Sequence, residues 1–314
     1  MTRYIVRRLL LIIPTLAAVI FVIYGIIELT PGEPARLILG TNASQEAVDE
    51  LTRQLGYDKP FIVRYFIYLV HAFTGDLGIS WQTGRSVFQE VMIRFPVTLK
   101  LSIFAMVLAV VIGIPLGVMS AVRQYSVFDA AGTVFAMVLA SVPSFWLAMM
   151  LIILFSVKLG WLPSFGAGGF SHYILPAVSM ACPEIAVLLR FTRSTMLEEI
   201  RKDYVRTARA KGQKERAVIY RHALPNALLP VVTVTGTEFC GMLGGVVTIE
   251  TVFSINGVGM LIYSSILKKD IPMVTGGAIF LSLSVMLVMV LIDILYAFID
   301  PRIRARYAGK KVSQ

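Results

Sequence analysis

Three carboxylates lie where a carboxylate is costly. Glu184, Glu238 and Asp293 fall inside long apolar runs, and Glu28 stands near the end of the first such run. A charged group at the middle of a membrane helix costs about 3 kcal/mol on insertion scales, so it must face protein or a water-filled path. Glu238 is surrounded by Gly236, Gly241, Gly244 and Gly245, a pattern that suits close helix packing or a path lined by backbone. Glu238, Gly241, Gly244 and Glu184 are therefore the candidate path-lining residues. A carboxylate at Glu238 could meet a cation or an amino group; a hydrogen-bonded contact between helices is the preferred reading. Asp293 is expected to pair within the bundle.

The other chemically distinctive stretch is 203–226, DYVRTARAKGQKERAVIYRHALPN. It is basic, amphipathic and broken by glycine. With Lys202 it carries Arg206, Arg209, Lys211, Lys214, Arg216 and Arg221 against only Asp203 and Glu215. Ala208 and Gly212 are four residues apart, which on one helix face lets another backbone approach closely. Gly212 can also end that helix. A second short helix is expected to run to His222, where Leu224 and Pro225 break it. The expected shape is a helix–turn–helix knuckle used for docking.

Recognisable catalytic machinery is missing. There is no GxxxxGK[ST] phosphate loop, no HExxH and no GxSxG. Cys182 and Cys240 sit in apolar runs without ligand spacing, and His71, His172 and His222 are scattered. No catalytic residue, bound cofactor or metal is expected in this chain.

Composition indicates the solvent. The chain of 314 residues is 57% hydrophobic and 15% charged, well below the charge of a soluble domain. Its net charge of +10 does not imply nucleic acid, because the bases cluster beside apolar runs in the positive-inside manner. Crossing a bilayer takes roughly 20 apolar residues, and six runs qualify: 9–29, 99–122, 131–157, 173–196, 227–249 and 274–299. The fold class is an all-α integral membrane protein, with Pro143, Pro183 and Pro230 kinking their spans. The first run is too long for a signal peptide and is read as an uncleaved anchor.

Charge orients the bundle. Bases crowd the N-terminus, the 203–226 stretch and the tail (Arg302, Arg304, Arg306, Lys310, Lys311), whereas 30–97 holds six bases and seven acids. Both termini are thus expected in the cytoplasm. The division is 1–29 for the N-terminus and first span, 30–97 for an outer segment, 98–299 for a five-helix core containing the loop 197–226, and 300–314 for a basic tail. Within 30–97, Asn42 or Ser44 can cap a helix ending at Gly56. The run 61–73 is too short to span and is expected at the interface, followed by a turn at 75–78.

The 203–226 stretch resembles the EAA loop of permease subunits in binding-protein-dependent ABC importers, E-A-A-x-x-x-G followed by I-x-L-P. Ala208 and Gly212 take the third alanine and the glycine, and Leu224 and Pro225 the final pair. Arg206, Thr207 and His222 depart from the pattern, yet DYxRTARAKG resembles the peptide and nickel branch. RYIVRRLLLIIPTL at the start, GDLGIS at 75–80, RFTRSTMLEEI, ETVFSINGVGMLI and IDPRI resemble the B-type permease of that branch, with Asn256 where proline is usual. The resemblance implies a type I importer permease fold, with Asp203, Ala208, Lys211, Gly212, Leu224 and Pro225 in the ATPase-coupling loop. It also implies a second homologous permease, two cytoplasmic P-loop ATPases that hold ATP and Mg, an extracytoplasmic solute-binding protein, and short peptides as cargo. Nickel chelate or glutathione is the alternative cargo. Rival readings are an autonomous secondary transporter, which would need inverted repeats, and a membrane scaffold.

Overall fold

The computed structural model describes residues 2–29, 34–40 and 42–299. The basic tail and the side chains of Glu28 and Asp293 lie outside the described residues. In chain order the helices are α1 (Thr2–Glu28), α2 (Pro34–Leu39), α3 (Gln45–Gln54), α4 (Phe61–Phe73), α5 (Val87–Val122), α6 (Val127–Ser141) and α7 (Ser144–Leu151). They continue with α8 (Ser171–Ile200), α9 (Asp203–Ala210), α10 (Glu215–Ala217), α11 (Leu224–Val252), α12 (Val258–Leu267) and α13 (Ile271–Ile299). Among the described residues there is no strand, only an isolated bridge between Ile79 and Ser86.

Five helices are long and apolar enough to cross a membrane, and a bent pair makes a sixth span if counted as one. That pair corrects the expected continuous span at 131–157. Its halves meet at 95°. Pro143 lacks an N–H and drives the preceding residue out of the helical region, and Val142 is indeed extended at φ −86, ψ 120. The second half ends in π-helix, Ile152–Lys158. Pro183 and Pro230, by contrast, lie inside uninterrupted helices.

The centre of the bundle is the contact between α5 and α8. Along α5, Ala105, Ala109, Gly113, Gly117 and Ala121 recur every fourth residue and all are buried. Side chains four apart share a helix face, so this is a smooth strip. A Cβ at Gly117 would stand 2.6 Å from the Leu189 carbonyl oxygen, and one at Gly113 3.0 Å from that of Ile185. In lipid, where apolar burial does not favour helix pairing over lipid contact, such close approach supplies the dispersion that holds helices together. Leu101, Leu188, Met242, Val246 and Phe253 extend the core around it.

Two buried polar clusters fix the ends of this contact. At one end the fully buried Glu250 of α11 accepts hydrogen bonds from Thr98 Oγ1 of α5 (2.6 Å) and from the backbone N–H of Met260 (2.9 Å). Val258 N–H donates to the same Thr98 oxygen at 2.9 Å. Gly257 is required here, because a Cβ would lie 2.0 Å from the Glu250 carboxylate. Arg94 is held by Glu90 and donates from Nε to Asn256 Oδ1 at 3.0 Å. At the other end Asp129 takes both arms of Arg193 (2.6 and 2.8 Å), Ser120 Oγ, and the Tyr125 N–H.

The cap at Ser44 and the turns at Gly56 and 75–78 fall where the sequence places them. Ser44 Oγ accepts from Ala47 N–H at the start of α3, and Gly56 turns away at φ +72. The short α4 lies against α1, with Tyr65 OH donating to the Ala17 carbonyl at 3.0 Å and Tyr65 edge-on to Phe21. In the turn after α4, Asp76 accepts from Gly78 N–H and pairs with His71; these bonds hold its carboxyl below the usual range. Asp270, buried before α13, binds Ser80 Oγ (2.5 Å) and Trp81 N–H (3.1 Å), tying the loop before α5 to the last span.

Gly117→Ala should cost about 2 kcal/mol by overpacking. Gly132→Ala, whose Cβ meets only Ser120 Oγ at 3.8 Å, should be neutral or slightly stabilising. Thermal unfolding of both variants in one detergent checks the contrast.

Candidate functional site

The knuckle is built on α9. Its C-terminus is a Schellman cap: Gly212 N–H donates to the Arg209 carbonyl (2.9 Å) and Gln213 N–H to that of Ala208 (3.4 Å). Gly212 sits at φ +74 with open space where a Cβ would be, so the glycine serves the left-handed backbone rather than a tight contact.

This corrects the expected docking face. Ala208 and Gly212 do not stack on one helical face, because the helix has ended before Gly212 is reached. Ala208 is buried with Val205, Val218, Ile219 and Ala223 against Val118, Ala121, Met196 and Ala227. Its smallness lets α9 lie on the ends of α5 and α8. The exposed rim consists of Asp203, Arg206, Arg209, Lys211, Gly212, Gln213 and Lys214.

A second correction concerns Leu224 and Pro225. They do not break the chain after a short second helix. Residues from Glu215 run on as one helical rod through a π-helical stretch, Val218–Ala223, into α11. Pro225 lies in the first turn of α11 and has no N–H to give. Its ring would crowd the carbonyl four residues back, and the wider π-turn accommodates it.

Side chains then pin the knuckle. Arg209 donates twice to Glu215 across the turn, at 3.0 and 2.7 Å. His222 pairs with Gln213 at 2.7 Å. Tyr204 OH donates to Glu199 at 2.5 Å and accepts from Asn226 at 3.1 Å. Burial, with the Glu199 carboxylate beside it, pushes that phenol up to about 12, so it stays a donor at neutral pH.

In the bundle Glu184 of α8 and Glu238 of α11 lie half-buried on two helices that pack against each other. Glu184 Oε2 is buried without a hydrogen-bond partner among the described residues. Gly241 and Gly244 lie on an exposed strip of α11 with Thr237, Gly245 and Thr248, and nothing stands near their Cβ positions. Gly236, on another face, is the packed one: a Cβ there would meet Ile292 Cγ2 at 2.5 Å. The glycine cluster thus divides into one packing residue and an open face. Sequence reasoning missed Glu250, Thr98, Asp129 and the α5 strip. The strip had a readable signal in its four-residue spacing; the pairs of distant residues had none.

The chain matches the family described as Binding-protein-dependent transport system inner membrane component over residues 113–305, and that family's N-terminal region over residues 1–102. It is 40% identical to the dipeptide transport system permease protein DppB of Alkalihalophilus pseudofirmus, across 97% of this chain and 100% of that one. It is equally 40% identical to the glutathione transport system permease protein GsiC of Salmonella choleraesuis, across 97% and 99%. A solved chain of the MetNI methionine ABC transporter, in an inward-facing conformation, is similar in fold. Its TM-score is 0.58 at 19% identity, covering 68% of this chain and 97% of that chain.

Tyr204→Phe removes one donor and one acceptor from the knuckle. Amides in 203–214 should exchange about fivefold faster, the equivalent of about 1 kcal/mol of local stability. Exchange in α5 and α8 should not change.

Proposed function

The chain belongs to the family of binding-protein-dependent transport system inner membrane components, and from that premise we propose that it forms half of the translocation path of an ATP-driven importer of short peptides. The chain is a multi-pass inner-membrane permease subunit without an ATPase site of its own. Two cytoplasmic ATPase subunits hold ATP and Mg, a second homologous permease completes the path, and an extracytoplasmic binding protein delivers cargo. Both termini and the knuckle face the cytoplasm, and 30–97 faces outward.

The observation that carries this reading is the anchoring of the knuckle. Its inner face is anchored to α5 and α8, and its rim is exposed and basic. Coupling asks for a body that moves as a unit when a partner pushes it. Lys211 and Gly212 form the tip and Asp203 opens α9 on the exposed rim. Ala208 seats the helix, and Leu224 and Pro225 carry the motion into α11. The path side is Glu238 and Glu184 with the open strip of Gly241 and Gly244. Two half-buried carboxylates there suit the ammonium group of a peptide.

Glutathione is the second reading for cargo, supported by the equal identity to dipeptide and glutathione permeases; it is itself a short peptide. Nickel as a chelate is the weaker alternative, since nothing among the described residues favours it over a peptide.

Reconstitution of the complex with its co-purifying subunits should give ATP-dependent uptake of di- and tripeptides. Flux through this chain alone would overturn the assignment. Gly212→Val forces a β-branched residue into the left-handed region at a cost of about 1–2 kcal/mol. It should uncouple ATP hydrolysis from uptake while the bundle unfolds at its usual temperature. Glu238→Gln should slow uptake without changing assembly; unchanged uptake kinetics would return Glu238 to a purely structural role.

A further inference from the structure

We propose that the cavity between the knuckle and the ends of α5 and α8 binds the phosphate of an anionic phospholipid. The cavity has a volume of about 490 Å³. Arg201, Arg206 and Arg209 line it together with the apolar Val122, Leu197 and Ile200.

The charge inside it is uneven. Glu215 is its one acid, and both of its oxygens are already held by Arg209. Among the described residues Arg201 has only a 3.4 Å contact to Gln124. Arg206 reaches Asp203 at 3.5 Å, where the two side chains are 77% and 96% exposed; such pairs contribute little. Among the described residues, then, Arg201 borders the cavity without a carboxylate partner and Arg206 with only the exposed Asp203 beside it. A planar fork matches phosphate oxygens in pairs, which a point charge does not.

The apolar wall selects the source of the phosphate. Val122, Leu197 and Ile200 belong to the last turns of the two spanning helices, so the cavity opens where those helices leave the membrane. A free phosphate or a carboxylate on a soluble subunit would be desolvated against this wall without matching it. A phospholipid puts its phosphate on the arginines and its glycerol and first methylenes on the wall. The leaflet rests on the orientation proposed above, and the cytoplasmic leaflet is the one rich in anionic lipid. The binding itself rests only on the cavity.

The test uses the assembled complex in nanodiscs of phosphatidylcholine with phosphatidylglycerol. Phosphatidylglycerol retained per chain after detergent extraction is read by native mass spectrometry. The wild type should retain it. Arg201→Gln with Arg206→Gln should bind about 25-fold more weakly, each base near an anionic surface being worth about fivefold. Arg201→Lys with Arg206→Lys, which keeps charge and removes the fork, should fall between and serves if the glutamine variant misfolds. Lys268→Gln with Lys269→Gln, at the opposite end of the bundle, should match the wild type. Equal retention by the wild type and both arginine variants would overturn the proposal. So would displacement by inorganic phosphate alone, which would make the ligand a free anion. Retention by the stripped chain but not by the complex would make the cavity a subunit contact instead. ATP-dependent uptake by the same wild-type preparation reports separately on the transport reading.

Discussion

The close approach of α5 and α8 is the constraint on which the rest of this protein depends. Water cannot drive these helices together inside a bilayer, so their contact must come from packing itself. Small residues at every fourth position of α5 allow it. Once the two backbones touch, both of their ends become fixed points. Thr98 presents its hydroxyl to Glu250 at one end, and Asp129 captures Arg193 at the other. A substitution in the strip would therefore disturb features at both membrane faces at once.

Each fixed point organises a functional surface by different means. At the Glu250 end a buried carboxylate gathers backbone N–H groups and holds an irregular loop, with Asn256 latched to Arg94. A proline at position 256 would restrict the loop through its ring; here a side-chain hydrogen bond does it. At the knuckle end the anchor is apolar, a cluster of small and branched residues under α9. The polar bonds there lie on the rim, open to whatever docks.

Much of the architecture was legible because membrane spans announce themselves by length and composition. The Ser44 cap, the turn at Gly56 and the helix end at Gly212 were equally readable, each resting on local backbone chemistry. The errors have physical causes as well. Ala208 and Gly212 satisfy a small-residue spacing, but the left-handed backbone at Gly212 ends the helix that would have paired them. Pro143 was expected to kink a span and instead breaks it, while Pro225 was expected to break a helix and is absorbed by a π-turn. Proline removes one donor in every case; whether neighbours can replace that bond is a tertiary matter. Thr98 and Glu250, or Ser80 and Asp270, meet only after the chain has folded across its length.

The continuity of the knuckle with α11 has a mechanical consequence. From Glu215 to Val252 the helix runs for 38 residues, roughly 57 Å at 1.5 Å per residue. Its first turns lie in the knuckle, and Glu250 near its last turn grips the loop on the far side. A stiff rod gripped at both ends acts as a lever with its fulcrum in the bilayer. A few degrees of tilt imposed at the short arm then displaces the far loop by ångströms in the opposite sense, with no signal passed from residue to residue between them.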